Sequence, residues 1–355
     1  MAERHADALL ISGQTIAPGQ RRTVEITLPA LYTSTPVVMR AQVIRGRRPG
    51  PSLFVSAALH GDEINGVEII RRLIRSPALR HLRGTLIAVP VVNSYGFVRL
   101  SRYLPDRRDL NRCFPGSETG SLAARLANTF LQEIVTRADY GIDLHTGAVH
   151  RENLPQIRAS FDDHGGVEEL AKAFGSPVIL NADIRDGSLR EAAQSIGVPV
   201  LVYEGGEALR FDELVIRAGL RGVIGVMRAV GMLRTTVRAH SRRHPEPVVA
   251  RSTQWVRAPQ SGILRAIKPL GARVAKTEPL GWIADPLGDD EIPVQAPVSG
   301  VIIGKLNLPL VNEGEALYHI ARFSQTGSAV AAVEQFQESL DPYIDAPDTA
   351  EPPIS

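Results

Sequence analysis

The chain has one cysteine, Cys113, in 355 residues. This excludes an intrachain disulfide framework and a thiolate zinc site, and it fits a reducing compartment. Aromatic residues are also scarce, at 5%, so the apolar share falls to Ala, Val, Ile and Leu, as in soluble globular proteins. Neither sign of charge dominates: 40 Lys and Arg face 38 Asp and Glu, and the arginines are scattered. A nucleic-acid partner is therefore not expected. No apolar run reaches membrane-spanning length, and the opening MAERHADALLISG carries Glu3 and Asp7 where a signal peptide would need an apolar core. The expectation is a cytoplasmic protein without membrane association.

What is present is a chain that is 44% hydrophobic and 22% charged, long enough for about two domains. Up to about residue 50, stretches such as TVEITLPA and PVVMRAQVI alternate apolar and polar positions and predict antiparallel strands at a sheet edge. From Pro51 to about Leu233, short apolar runs (LFVSAAL, TLIAVPVV, YGIDLH, PVIL, PVLVYEGG) alternate with helical patterns (EINGVEIIRRLIR, SLAARLANTFLQEIVTRA, ELVIRAGLRGVIGVMRAVGML). Such alternation predicts an α/β domain with a largely parallel sheet. TTVRAHSRRHPEPVVARS is basic and aperiodic and predicts a linker. Beyond it, VRAPQSGIL at Val256 is echoed by VQAPVSGVI at Val294, and two similar halves predict a small β-sandwich with pseudo-twofold symmetry. The expected organisation is an α/β domain with its N-terminal edge strands over 1–240, a β-sandwich over 241–325, and a frayed tail with one short helix over 326–355.

Chemistry concentrates in ALHGDEINGVEII, where His60 ends an apolar strand and Glu63 opens a helix three residues later. One imidazole and one carboxylate can then face a common point, and a zinc site that keeps a position open needs a third ligand from elsewhere. His145, in YGIDLHTG, also stands at a strand end, with Asp143 placed to orient a ligating imidazole. Two further strands run into Asn93 and Glu204. Polar residues beyond the carboxyl ends of four parallel strands predict a single pocket.

HGDEINGVE, DLNRCFPG, DLHTG and VYEGGE, in this order, resemble the succinylglutamate desuccinylase and aspartoacylase family, relatives of the zinc carboxypeptidases. The AP-x-SG repeat resembles that family's appended β domain. The resemblance implies a zinc carboxypeptidase-like mixed sheet flanked by helices, one zinc ion per chain on His60, Glu63 and His145, and Glu204 as general base. It also implies that Asn111 and Arg112 hold the substrate carboxylate, and that Arg102 polarises the scissile carbonyl, with Arg107 and Arg108 as nearby alternatives.

A carboxylate beside an activated water can take its proton during attack on the acyl carbon and return it to the leaving amine. Zinc-dependent removal of the acyl group from a small N-acyl amino acid is the leading reading, and a homo-oligomer is compatible with it. Carboxypeptidase action on short peptides is the second, and a silent binding module the third. Glu204 as a helix-capping acid, Arg112 as a surface ion-pair partner of Asp109 or Glu118, and Arg158 as a solvated loop residue are the bland alternatives. The repeat also resembles lipoyl and biotinyl carriers, but its central turn, ADPLGDDEIP, has no lysine for a swinging arm.

Overall fold

The computed structural model describes residues 8–161, 166–234, 246–324 and 326–340. The chain opens with a hairpin, β1 (Leu9–Ile11) and β2 (Gln14–Ile16), followed by β3 (Arg21–Leu28), β4 (Val37–Arg45) and β5 (Arg48–Ala57). Then come α1 (Asn65–Leu73), β6 (Arg83–Val89), α2 (Ser94–Val98), α3 (Leu122–Glu133), β7 (Tyr140–Gly147) and β8 (Arg151–Ala159). Next are α4 (Val167–Phe174), β9 (Val178–Asn181), α5 (Leu189–Ser195), β10 (Val200–Glu207), α6 (Glu213–Ala229) and β11 (Val248–Ala250).

A 13-stranded mixed sheet runs through the molecule along the path β3-β4-β6-β5-β7-β10-β8 and onward into the C-terminal unit. β6, β5, β7 and β10 are parallel neighbours, so their carboxyl ends open on one side. The alternating N-terminal segments form the antiparallel edge, β3 against β4. Helices cover both faces. One face buries Ile69, Ile70 and Leu73 of α1, Phe174 of α4, and Val223, Val226 and Met227 of α6. The other buries Leu126, Phe130 and Leu131 of α3 and Ala192 and Ala193 of α5, with Ile11 and Ile16 of the hairpin beside them. The three-to-four-residue spacing of these side chains makes each helix amphipathic. Ser121, Ser188 and Asp212 start α3, α5 and α6 by accepting from backbone N–H groups of the first turn.

β8 was not foreseen as a strand, because Pro155 interrupts its pattern. In the structure the proline falls where the ladder between β8 and β10 is irregular, between the pairs Gln156–Glu204 and Asn153–Gly206. A residue without an N–H is tolerated there.

The C-terminal unit comprises β12 (Ser252–Arg257), β13 (Gly262–Ala266), β14 (Arg273–Val274) and β15 (Pro279–Ala284), then β16 (Ile292–Gln295), β17 (Gly300–Leu306), β18 (Leu310–Val311) and β19 (Ala316–Arg322). One layer runs β12-β19-β17-β14 and the other β16-β15-β13-β18. Exchanging the two halves of the repeat converts one order into the other, which is the pseudo-twofold pattern. Hydrogen bonding does not stop at the expected boundary: β17 pairs with β8, with Gly304 opposite Asn153 and Leu306 opposite Arg151. Within the expected linker, Val248–Ala250 forms β11 and rejoins the sheet beside β9; residues 235–245 lie outside the described residues. After β19, α7 (Thr326–Glu338) buries Ala329, Val333 and Phe336, and the rest of the expected tail, from 341, lies outside the described residues. Among the described residues no helix is long and apolar enough to cross a membrane.

Candidate metal centre and its cavity

His60, Glu63 and His145 meet beyond the ends of β5 and β7. One ligand atom from each lies within 4.8 Å of the others. Glu63 accepts from His60 Nδ1 through Oε1 at 2.8 Å and from His145 Nδ1 through Oε2 at 2.7 Å. The outer nitrogen of each ring meets a second carboxylate: His60 Nε2 lies 3.0 Å from Asp109, and His145 Nε2 lies 2.7 Å from Asp143. Ser56 Oγ in turn donates to Asp143 at 2.7 Å. Two imidazoles and a carboxylate converging on one point, each ring oriented from behind by an acid, is a donor set suited to zinc with a position left open.

The local chain explains the convergence. The turn after β5 packs against α2 so closely that a Cβ on Gly61 would lie 2.0 Å from the Gly96 carbonyl carbon. Only glycine permits that approach, and it seats His60 and Glu63 on either side of the turn. His145 comes from β7, next to β5 in the sheet.

Burial alone would push both histidines toward the neutral form. The Glu63 and Asp109 charges outweigh it at His60, and the Asp143 and Glu63 charges do so at His145, so both pKa values rise, that of His145 strongly. For Glu63, burial favours protonation, but the two facing imidazoles hold it well below the usual carboxylate range. Asp109 is held low in the same way by His60 and Arg102. The cluster is an alternation of charges that compensates its own burial.

Arg102 completes it, donating from NH1 to Glu63 at 3.1 Å and from NH2 to Asp109 at 2.9 Å. Arg107 and Arg108 are exposed and stay outside the cavity. Asn111 and Arg112 line the cavity, with Asn111 Oδ1 accepting from the Leu189 N–H at 2.9 Å. Glu204 stands on β10 directly opposite His145. Its Oε2 accepts from Asn153 Nδ2 at 2.9 Å, and Arg158 Nε lies 3.4 Å from Oε1 without hydrogen-bond geometry. Glu207 is used elsewhere, accepting from the His150 N–H and from Asn307 Nδ2.

These groups share one cavity of about 540 Å³. Asn93, expected among them, is not in its lining: its side chain caps α2, accepting from Gly96 N at 2.8 Å. Several lining residues are not marked by the sequence, or, like Arg158, weigh there as solvated loop residues with only a low prospect of reaching the substrate. Asp109 was read only as a surface partner. Arg158 lines the cavity from β8, and Arg185 and Arg190 reach it around α5. Burial, together with mutual repulsion among these arginines, pulls the Arg190 pKa down to about 10. The C-terminal unit contributes Thr253, Trp255 and Lys305 to the far wall. The signal for Arg158 was present: once β8 is a strand pairing Val202 with Arg158, the side chain must share the face of Glu204.

Comparisons with known proteins agree. The model of the succinylglutamate desuccinylase/aspartoacylase catalytic domain matches residues 49–230. The N-alpha-acetyl-L-2,4-diaminobutyric acid deacetylase of Halomonas elongata is 25% identical over 296 residues, covering 80% of this chain and 86% of that protein. The succinylglutamate desuccinylase/aspartoacylase of Rhodobacter sphaeroides has the same fold, with a TM-score of 0.76 at 24% identity, over 85% of this chain and 96% of that one. So does the product-bound ectoine utilization protein EutE (DoeB) of Ruegeria pomeroyi, with a TM-score of 0.76 at 23% identity, over 86% and 97%. With the catalytic-domain match spanning more than half of its length, this chain belongs to the succinylglutamate desuccinylase/aspartoacylase family.

Proposed function

We propose that the protein is a zinc-dependent amidohydrolase that cleaves the acyl group from an N-acyl amino acid. The observation that carries this reading is the meeting, in one cavity, of the His60–Glu63–His145 cluster, the Glu204 carboxylate and a set of arginines. His60, Glu63 and His145 would hold the ion, which when bound supplies Lewis acidity for activating water and the carbonyl oxygen. Glu204, on β10 directly opposite His145 of β7, takes the proton of the attacking water and returns it to the departing amine. Arg112, beside Asn111, offers a planar fork to the substrate carboxylate. Arg102 is assigned to polarising the carbonyl, its NH1 being the donor now shared with Glu63.

The lining also bears on the substrate. Arg102, Arg112, Arg151, Arg158, Arg185 and Arg190 outnumber Glu63, Asp143, Asp183 and Glu204, and two of those acids are already engaged by the histidines. A side-chain ammonium, as in the diaminobutyrate derivative named for the Halomonas relative, meets repulsion here, whereas a carboxylate is welcomed. The test is amine release from N-acetyl-L-glutamate, N-acetyl-L-glutamine, N-acetyl-L-2,4-diaminobutyrate and a short peptide by the zinc-loaded protein. The expected order places N-acetyl-L-glutamate first. Turnover of the peptide alone would move the assignment to a carboxypeptidase, and no turnover of any compound would contradict it.

A further inference from the structure

Glu204 is steadied by an amide whose own position is decided in the other unit. Cross-strand register defines a row of residues over five strands: Trp255 opposite His319, His319 opposite Gly304, Gly304 opposite Asn153, and Asn153 opposite Gly206. The row begins in the C-terminal unit and ends two residues past Glu204. Directly opposed residues on one sheet face meet through their side chains, and at Gly304 there is none. A Cβ there would lie 3.1 Å from Asn153 Oδ1 and 3.2 Å from His319 Cβ. The bare position is therefore the space that the Asn153 amide uses while its Nδ2 reaches Glu204 Oε2.

The far side of that space is filled. The His319 ring is buried and stacks on Trp255 at 4.3 Å, with the planes 3° apart, so an atom added at position 304 displaces the Asn153 amide, which borders the cavity, and not His319. With Oε2 engaged, Oε1, which faces Arg158 Nε at 3.4 Å without a hydrogen bond, is the oxygen left for a reacting proton. An aligned carboxylate has to hold one orientation to take a proton and give it back in the same turnover.

We propose that Asn153 is the positioning residue of the Glu204 carboxylate, and that the C-terminal unit sets this position through the side-chain-free Gly304. The appended unit is then a support of the proton-transfer group as well as a wall of the cavity. The inference rests on the assignment of Glu204 as that group.

The test uses the zinc-loaded full chain with N-acetyl-L-glutamate, or the panel member turned over fastest, and follows kcat, KM and zinc content together. Asn153→Ala lowers kcat by about 10- to 100-fold, part of the roughly 10²- to 10⁴-fold contribution of a proton-transfer group, and leaves KM within about twofold. Asn153→Asp, similar in shape but without an N–H and carrying a like charge, is worse than Asn153→Ala. Gly304→Ala lowers kcat comparably, and adding it to Asn153→Ala causes no further loss, as coupled sites require. An equal loss from Gly304→Ala in both backgrounds overturns the proposal. So does wild-type kcat in Asn153→Ala while Glu204→Gln is inactive. If Gly304→Ala does not fold, the two Asn153 variants decide alone: Asn153→Asp turning over as fast as Asn153→Ala is the contradicting result. Full turnover by Glu204→Gln instead removes the assignment of the base, and this inference with it.

Discussion

The two walls of the cavity are built in different ways. On the metal side, Asp109, His60, Glu63, His145 and Asp143 form an unbroken chain in which each ring nitrogen faces a carboxylate oxygen. On the opposite side, the lining residues Arg158 and Arg190 each keep a buried nitrogen, Nε and Nη1, without a hydrogen-bond partner among the described residues. An unmet buried donor costs about 1 to 3 kcal/mol, a cost that the closed chain of the first wall does not carry. The difference separates two tasks. A closed network fixes geometry before anything binds, whereas open donors suit a wall whose partners arrive with the substrate.

The largest effect is expected from breaking the closed wall. His145→Ala removes a proposed ligand and leaves Glu63 and Asp143 without their shared partner, so zinc content and turnover should both fall to background while the fold persists. Metal analysis beside circular dichroism measures this, and zinc bound as tightly as in the wild type would show that His145 is not a ligand.

Between the walls stands Glu204. Glu204→Gln keeps the shape and the contact with Asn153 but cannot accept a proton, and should lower kcat about 10²- to 10⁴-fold at unchanged zinc content. Near-normal kcat in the zinc-loaded variant would place the base elsewhere. Glu207 is a poor candidate, since both of its oxygens are engaged outside the cavity.

The open wall should answer more gently. Arg112→Lys keeps the charge but loses the fork, and should lower kcat/KM about 10- to 100-fold, the scale of a lost charged hydrogen bond. Amidating the substrate carboxylate should produce a similar loss in the wild type and little more in the variant. Independent, additive losses would detach Arg112 from that carboxylate.

This contrast follows what could be read in the chain. The closed wall was legible because the members of its cluster sit at or near the ends of strongly apolar strands, His60 and Glu63 three apart and Asp143 two before His145. The fold class was legible for the same reason, from alternation along β5, α1, β6 and β7. The open wall is assembled by strand pairing that no local pattern announces. Asn153 and Arg158 lie on β8, hidden by Pro155, and Trp255 reaches the cavity only because β17 joins β8 across the unit boundary. His319 stands in no local pattern that marks it. It is buried, yet its Nδ1 has no partner among the described residues, a property of the sheet stack and not of its neighbours in sequence.

The smallest effect concerns that histidine. Burial, with the Arg158 charge adding to it, lowers its pKa from the ordinary 6.5 to about 3. The folded protein thus keeps His319 neutral while the unfolded chain protonates below pH 6.5. Its contribution to stability is complete above that pH and is lost progressively as pH falls from about 6.5 toward 3. Urea unfolding at pH 7 and pH 4.5 should show His319→Gln losing less stability between the two conditions than the wild type. An identical pH dependence would mean that His319 is already charged in the folded state.

The proposed function requires one zinc ion on His60, Glu63 and His145. The direct measurement is zinc content and N-acetyl-L-glutamate hydrolysis on a single preparation, as purified, after chelation, and after zinc is returned. The account predicts about one zinc per chain, loss of turnover on chelation with the fold retained, and recovery in proportion to the zinc restored. Undiminished turnover by the zinc-free protein would contradict it.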